Sequence, residues 1–493
     1  MRCLLGLWIA AVPLLAADRL EARLDALRNS PALNRASVGI QVVRLSDAKV
    51  LYRYNAEHWF VPASNMKLFT SALALMRLGP DFRFATEVRA AQPMDAAGSL
   101  PCDLVLLGGG DPSLSGRVYP YRYDSKAAPG SRYSFAAIDQ FADELVAHGL
   151  KNVEGDIVGD DRRYVWEPRP AGWSTGDAQW EYGAPVSALI LNDNSFALTV
   201  RPGASPGDLA RIWLTPAFEY FSIDNRIRTA AGSERKIEIQ REPSGRELHL
   251  TGVIPMGDRG ASELLAVDDP AQYAAEVLRD ALQRRGVAVR GEAVARHRFG
   301  DDIAAAMPDP APPVVLARRL SPPLSELLQL ADKVSQNLHA EVLLREAALA
   351  ARNDGSRTAG LAELRDFLSS IGLPKDCCQF NDGSGLSPAT LVTPAAVTAL
   401  LAYMYKSAYH DLWLSLLPVA GADGTLAGRF TKHPESVAVR AKTGTLSHVH
   451  ALSGYVMAPG REPLAFSLLV NSSETPGPAV TDAMDRIALG LIE

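Results

Sequence analysis

Between Ser37 and Tyr54, Val38, Ile40 and Val42 alternate with smaller or polar residues. Ser46-Asp47 then supplies turn chemistry and Val50-Leu51-Tyr52-Arg53-Tyr54 returns, a two-residue period that predicts a hairpin. The period lengthens after Pro62. Leu68, Ala72, Leu75 and Leu78 recur at helical spacing, so a core helix is expected over 64–78, closed by Gly79-Pro80. From about residue 84 to 310 the texture changes. Short β-like stretches (Cys102–Leu107, Ile212–Thr215, Glu247–Ile254) alternate with Gly- and Pro-rich connections. Leu316–Leu320 then leads through Ser321-Pro322-Pro323 into a helical run reaching Leu330, and a second helical run ends at Ala350. Strands are expected at Val437–Lys442, Val449–Met457 and Pro463–Val470, with Ala458-Pro459-Gly460 as a turn and a helix from Val480 to Ile492. The pattern describes an α+β architecture: an antiparallel sheet flanked by helices, carrying a long β-rich insertion after its first helix.

Size and charge narrow the function classes. The 493 residues, 47% of them hydrophobic, can bury more than one core. A net charge of −6 argues against a nucleic-acid partner, which calls for a basic surplus. At the N-terminus Arg2 precedes an uncharged run from Cys3 to Ala17, with small Ala16-Ala17 before Asp18-Arg19. So short a run suits the apolar part of an export signal better than a membrane span, and residues 1–17 are expected to be a signal peptide. No later segment is long and apolar enough to span a membrane, so a mature chain with no transmembrane segment, outside the cytoplasm, is expected.

Cysteine is sparse: beyond Cys3, the chain has Cys102 and the adjacent pair Cys377-Cys378. Free, buried thiols are expected rather than a disulfide framework, although a Cys102 bridge to one of the pair stays open. No metal site is expected. His448 and His450 near the C-terminal strands read as packing or surface residues, since no zinc-ligand spacing is present.

Three short strings carry the chemistry: Ser64-Asn65-Met66-Lys67, Ser335-Gln336-Asn337 and Lys442-Thr443-Gly444. A serine that cleaves an amide must lose its proton as it attacks, and Lys67, one helical turn on, brings an amine to it. Burial and a second cation, for which Lys442 is the candidate, would lower the amine's pKa enough for it to act as a base. Ser335 can pass a proton to the leaving amine, while the Asn337 amide can hold both Lys67 and a substrate amide. The strand through Lys442 offers a backbone N–H to an oxyanion, with the N–H of Ser64 as the second donor. Lys442 and Thr443 or Thr445 can meet a terminal carboxylate, and Gly444 leaves room for the substrate backbone. Each string alone has a plainer reading: a chance helical pair, Asn337 as a helix cap, a surface turn. All three in this order match the pattern of serine enzymes that open D-Ala-D-Ala peptides and β-lactams.

With these strings in place, the chain resembles the class C low-molecular-mass penicillin-binding proteins, the D-alanyl-D-alanine carboxypeptidase/endopeptidase family. Leu107-Gly108-Gly109-Gly110-Asp111-Pro112, Tyr182 to Leu189, Asp382-Gly383-Ser384-Gly385-Leu386-Ser387 and Gly421 to Leu426 look like that family's signatures. The first two strings lie 271 residues apart, a gap that in the family holds two extra domains. The resemblance implies a discontinuous transpeptidase-like domain at 18–83 and 311–493, with 84–310 inserted. It further implies Ser64 as acylated nucleophile, Lys67 as its base, Ser335 and Asn337 as the second motif, and Lys442 to Thr445 as the substrate-binding strand. Expected partners are peptidoglycan stem peptides and β-lactams, with no cofactor. Members that grip the free end of a diaminopimelate side chain have an arginine after Gly-Leu-Ser; Pro388 stands here. Asp160 is a loose match to the aspartate that completes that grip. A β-lactamase or esterase and a catalytically idle wall-peptide binder are the alternatives. The long insertion, the lack of an identifiable deacylating glutamate loop and the intact motifs weigh against them.

Overall fold

A computed structural model describes residues 11–128, 130–300 and 313–492. The first ten residues of the expected signal peptide lie outside this range, and Ala11–Arg28 forms one helix that runs through the expected cleavage point. No helix among the described residues is long and apolar enough to cross a membrane. The chain packs as two compact units, one formed by residues 1–76, 328–340 and 361–493, the other by 77–327 and 341–360.

In the first unit the predicted hairpin is present as Ser37–Arg44 and Val50–Tyr54. It joins three C-terminal strands, Val439–Leu446, Val449–Val456 and Leu464–Asn471, in one antiparallel sheet. The first strand pairs with the last along its whole length, Ser37 opposite Asn471 and Arg44 opposite Leu464. Ends of the unit far apart in sequence thus become neighbours at the sheet's centre. Both faces of these central strands are covered, so the alternation at Val38, Ile40 and Val42 understates their burial: Gly39, Gln41 and Val43 are also close-packed or buried. Val38, Ile40 and Val42 meet Leu24, Met484 and Ile487 on one face. On the other, Gln41 donates to Thr398 (2.9 Å) of the helix Pro394–Tyr405.

Element boundaries depart from the sequence reading in physically informative ways. The α-helix begins at Met66, preceded by a tight 3₁₀ turn, Ala63–Asn65, so Ser64 sits on the turn. The strand expected to stop at Lys442 runs on to Leu446, because its pairing with Val449–Val456 carries it through Thr443, Gly444 and Thr445. The last helix is Gly477–Leu489.

The second unit contains a five-stranded mixed sheet in the order Ala293–Arg298, Ile157–Val165, Leu104–Leu107, Ala85–Ala90, Val314–Leu320. Smaller sheets built on Ser195–Arg201 and Glu247–Pro255 share its core. Two helices that the sequence reading missed, Ala136–Ala147 and Pro270–Arg284, also belong here. The second has a good start signal: Asp269 caps it by accepting from the N–H groups of Ala271 and Gln272 (both 3.0 Å), and Pro270 occupies its first position.

Candidate active site

The 3₁₀ turn before Met66 is held in a strained form. Ala63 has φ +46°, which a side chain normally avoids, and Gly385 packs against it. A Cβ at Gly385 would lie 1.8 Å from the Ala63 carbonyl oxygen, and φ there is +79°, so glycine is required. The turn directs the Ser64 hydroxyl toward Lys67, whose Nζ is 2.9 Å from the serine Oγ. Lys67 is fully buried and donates also to Asn337 Oδ1 (2.6 Å) and the Ser384 carbonyl (2.8 Å). Three acceptors surround one ammonium. In the neutral amine the two carbonyl-type acceptors keep their N–H donors, which turns the lone pair toward Ser64.

Ser384 lies in the Asp382-to-Ser387 signature, and its side chain carries none of the roles expected from the sequence. Its carbonyl is presented by a loop organised around buried Asp382, which accepts from Ser387 N (2.8 Å), Gly385 N (3.2 Å) and the Thr390 hydroxyl (2.7 Å). Thr70 reinforces the loop by donating to the Gly383 carbonyl (2.7 Å). A main-chain oxygen leaves no side-chain trace in a sequence, so only the signature itself could have pointed here.

Ser335 ends the helix Leu324–Val334 with φ +63°. Gln336 N donates back to the Ala331 carbonyl (2.9 Å), the arrangement of a Schellman stop in which glycine usually holds the left-handed position. A serine there costs about 1 kcal/mol relative to glycine but supplies a hydroxyl. Gln336 Oε1 caps the next helix by accepting from Leu338 N (3.0 Å), so the capping role considered for Asn337 falls to its neighbour. Asn337 Oδ1 accepts from Lys67 (2.6 Å).

Lys442 is fully buried, and its Nζ donates to Ser335 Oγ (2.8 Å) and the Thr443 carbonyl (3.0 Å). Burial lowers its pKa to about 8, opposed by the charge of Asp332. Asp332, which the sequence reading missed, is a fully buried carboxyl. Burial raises its pKa to about 6, against the pull of Lys442, Ser71, Lys67 and Lys333. Lys333 pairs with Asp423 (2.6 Å), anchoring the segment whose Thr425 hydroxyl takes a hydrogen bond from Thr443 (2.7 Å).

Val439–Leu446 is an edge strand. Ala441 N points outward to the Pro418 carbonyl (3.0 Å), so by the two-residue period the amides of Thr443 and Thr445 face the same edge. Gly444 packs against the turn that carries Ser64: a Cβ there would lie 2.8 Å from Pro62 O and 3.0 Å from Ser64 N. Its small size is therefore required by contact with the chain itself, not only by room for a substrate. The exposed Thr445 and half-buried Thr443 flank it.

Asp160 belongs to the second unit. There it is buried on the strand Ile157–Val165, its carboxylate bound by Arg162 (2.7 Å). Cys102, Cys377 and Cys378 are free thiols and half-buried rather than buried. Among the described residues no cluster of His, Cys, Asp or Glu is placed to hold a metal ion.

The D-Ala-D-Ala carboxypeptidase 3 (S13) family model matches residues 20–490. The D-alanyl-D-alanine carboxypeptidase of Actinomadura sp. (strain R39) is 35% identical over 486 residues, covering 96% of this chain and 84% of that protein. The D-alanyl-D-alanine carboxypeptidase DacB of Haemophilus influenzae is 25% identical over 446 residues, 89% of this chain and 86% of that one. Among solved structures, penicillin binding protein 4 (dacB) from Haemophilus influenzae aligns with TM-score 0.79 at 23% identity, covering 95% of this chain and 98% of that chain. That likeness speaks to the fold, a transpeptidase-like arrangement of antiparallel sheet and helices. With family and relatives in agreement over nearly the whole length, the chain belongs to the D-Ala-D-Ala carboxypeptidase 3 (S13) family and is a serine-type carboxypeptidase.

Proposed function

We propose that Ser64 is the acylated nucleophile for the terminal D-Ala-D-Ala bond of peptidoglycan stem peptides, with Lys67 as its base. The observation that carries this reading is the Lys67 amine, bonded at once to Ser64 Oγ, Asn337 Oδ1 and the Ser384 carbonyl. As Ser64 Oγ attacks the scissile carbonyl, its proton passes to Lys67 Nζ. The N–H groups of Ser64 and Thr445 receive the oxyanion. Because Lys442 donates to Ser335 Oγ, the Ser335 hydroxyl can pass its proton to the leaving amine while taking one from Lys442 Nζ. Thr443 and Thr445 hydroxyls take the substrate carboxylate, with the Lys442 charge behind them. Water then attacks the acyl-enzyme along the same route in reverse.

A β-lactam would acylate Ser64 in the same way; a relative's structure, that of Haemophilus influenzae penicillin binding protein 4, is described as complexed with a novel β-lactam. Action on D-Ala cross-links is the further reading, since the open strand edge suits an extended peptide on either side of the bond. Asp160 is proposed, on the resemblance alone, as a substrate-binding residue. The chain is proposed to be exported by residues 1–17 and to work outside the cytoplasm, with 84–310 inserted into a catalytic domain formed by 18–83 and 311–493. The test is labelled penicillin on the purified protein: a covalent adduct is expected, slow to release, and absent in Ser64→Ala. Adduct on another serine in that variant overturns the assignment, and rapid turnover of the drug points to a lactamase.

A further inference from the structure

The adjacent thiols of Cys377 and Cys378 have no part in the chemistry above. Their sulfurs lie 3.4 Å apart, against about 2.05 Å in a disulfide. They line a cavity of about 200 Å³ together with Arg365, Asp366, Lys375 and Phe380. The cavity lining carries Arg365 and Lys375 against Asp366, and the carboxylates of Asp376 and Glu57 also act on Cys377. The two thiols are unequal. The neighbouring Cys378 thiol holds Cys377 below the usual range, despite burial, whereas the same contact and deeper burial push Cys378 well above it. Cys377 is therefore the thiol suited to attack first, and Cys378, 3.4 Å away, is the one within reach of the sulfur it forms.

We propose that Cys377 and Cys378 form a dithiol exchange site for low-molecular-mass disulfides, closing to a vicinal disulfide that loosens the Lys67 site. The Cys377 thiolate attacks one sulfur of the external disulfide, forming a mixed disulfide and expelling one thiolate. The Cys378 sulfur then attacks the Cys377 sulfur, expelling the second thiolate, which takes up the Cys378 proton. Two protein thiols become one disulfide, and the external disulfide takes up their two electrons and two protons as two thiols.

Closure must draw the sulfurs together across a single peptide unit, forming a small ring that resists the flat extended geometry of a strand. That geometry is in use here. Cys378-Gln379 pairs with Leu391-Val392, Thr393 N donates to the Cys377 carbonyl (3.2 Å), and Val392 pairs in both directions with Phe60 (2.9 Å each). Phe60 stands four residues before Ser64, and Ser384, whose carbonyl holds Lys67, stands six residues after Cys378. Distortion at the pair thus reaches the nucleophile turn from one side and its base from the other.

Oxidised glutathione on the full-length protein, followed by peptide mass mapping, tests the thiol chemistry independently of the Ser64 assignment. The peptide bearing Cys377 and Cys378 is expected to lose two hydrogens, while Cys102 stops at a glutathione adduct. Cys378→Ser is expected to trap glutathione on Cys377. An unaltered pair under conditions that convert Cys102, or a free Cys377 in that variant, overturns the site. The coupling rests on the Ser64 reading and is checked by penicillin acylation, expected to fall roughly tenfold in the oxidised protein and return with dithiothreitol. Oxidised protein that acylates at the reduced rate overturns the coupling and leaves the thiol result standing.

Discussion

Lys442 has its ammonium buried and bonded to Ser335, so its charge acts chiefly through that hydroxyl and through the field felt by a bound carboxylate. With its pKa lowered to about 8, acylation is expected to decline as pH rises through that value, because the neutral amine neither supports Ser335 nor attracts the carboxylate. Lys442→Arg keeps the charge at every accessible pH. Its acylation rate should drop by about tenfold, since the planar fork fits a lysine site poorly, but the alkaline limb should disappear. Lys442→Ala should fall further and show no limb near pH 8. A limb that persists in the arginine variant assigns it to another group. Asp332 supplies a second check. Its negative charge raises the Lys442 pKa, so Asp332→Asn should move the alkaline limb to lower pH, readable in the acylation profile.

At the scale of elements, the active site is assembled from places where regular structure stops. Ser335 occupies the left-handed residue of a helix end, a position glycine would fill at lower cost. Ser335→Gly should therefore raise the stability of the fold by about 1 kcal/mol while strongly reducing acylation, a split that denaturant melts and penicillin labelling would reveal. Loss of stability in that variant would mean the hydroxyl's bond to Lys442 outweighs the backbone strain. Gly444→Ala works in the opposite direction. Its methyl must displace the Ser64 turn, so acylation should fall with a stability loss of roughly 1–3 kcal/mol. Normal acylation there would show that the turn yields at no cost. Both sites lie where the sequence reading placed the strings. The reasons for the residue types, a Schellman stop and an edge strand pressed against a turn, needed the neighbouring elements.

At the scale of the whole molecule, the chain forms two compact units. In the second, His297 stacks on Trp166 (3.8 Å) and lies between Asp161 (2.9 Å) and Asp269 (3.1 Å). Burial works against its charge, but the two carboxylates raise its pKa from 6.5 to about 9. A raised folded-state pKa contributes stability that is complete below pH 6.5 and is lost as pH climbs through about 9. After discounting for solvent screening, the contribution is on the order of 2 kcal/mol. The Tm gap between wild type and His297→Asn should be widest below pH 6.5 and narrow toward pH 9; a gap independent of pH would mean the histidine is neutral throughout. The division at 84–310 is tested by excision: a protein lacking that span should still fold enough to label with penicillin, and failure to fold would make the two regions one cooperative structure.

The sequence by itself determined the candidate residues and the order in which their strings occur. Ser64, Lys67, Ser335, Asn337 and Lys442 to Thr445 lie in three short strings whose order matches a serine-enzyme pattern, so they could be named as candidates before any fold was known. Composition and the resemblance extended this to family and fold class. Tertiary structure decided what no local period encodes. It buried Asp332 among lysines drawn from three separate segments, chose a main-chain oxygen of Ser384 as partner to Lys67, and left the edge from Thr443 to Thr445 open. It also moved helix capping to Gln336 and brought Ser37–Arg44 beside Leu464–Asn471. Burial, pKa and strand neighbours depend on contacts hundreds of residues apart, and a backbone carbonyl looks the same in every residue.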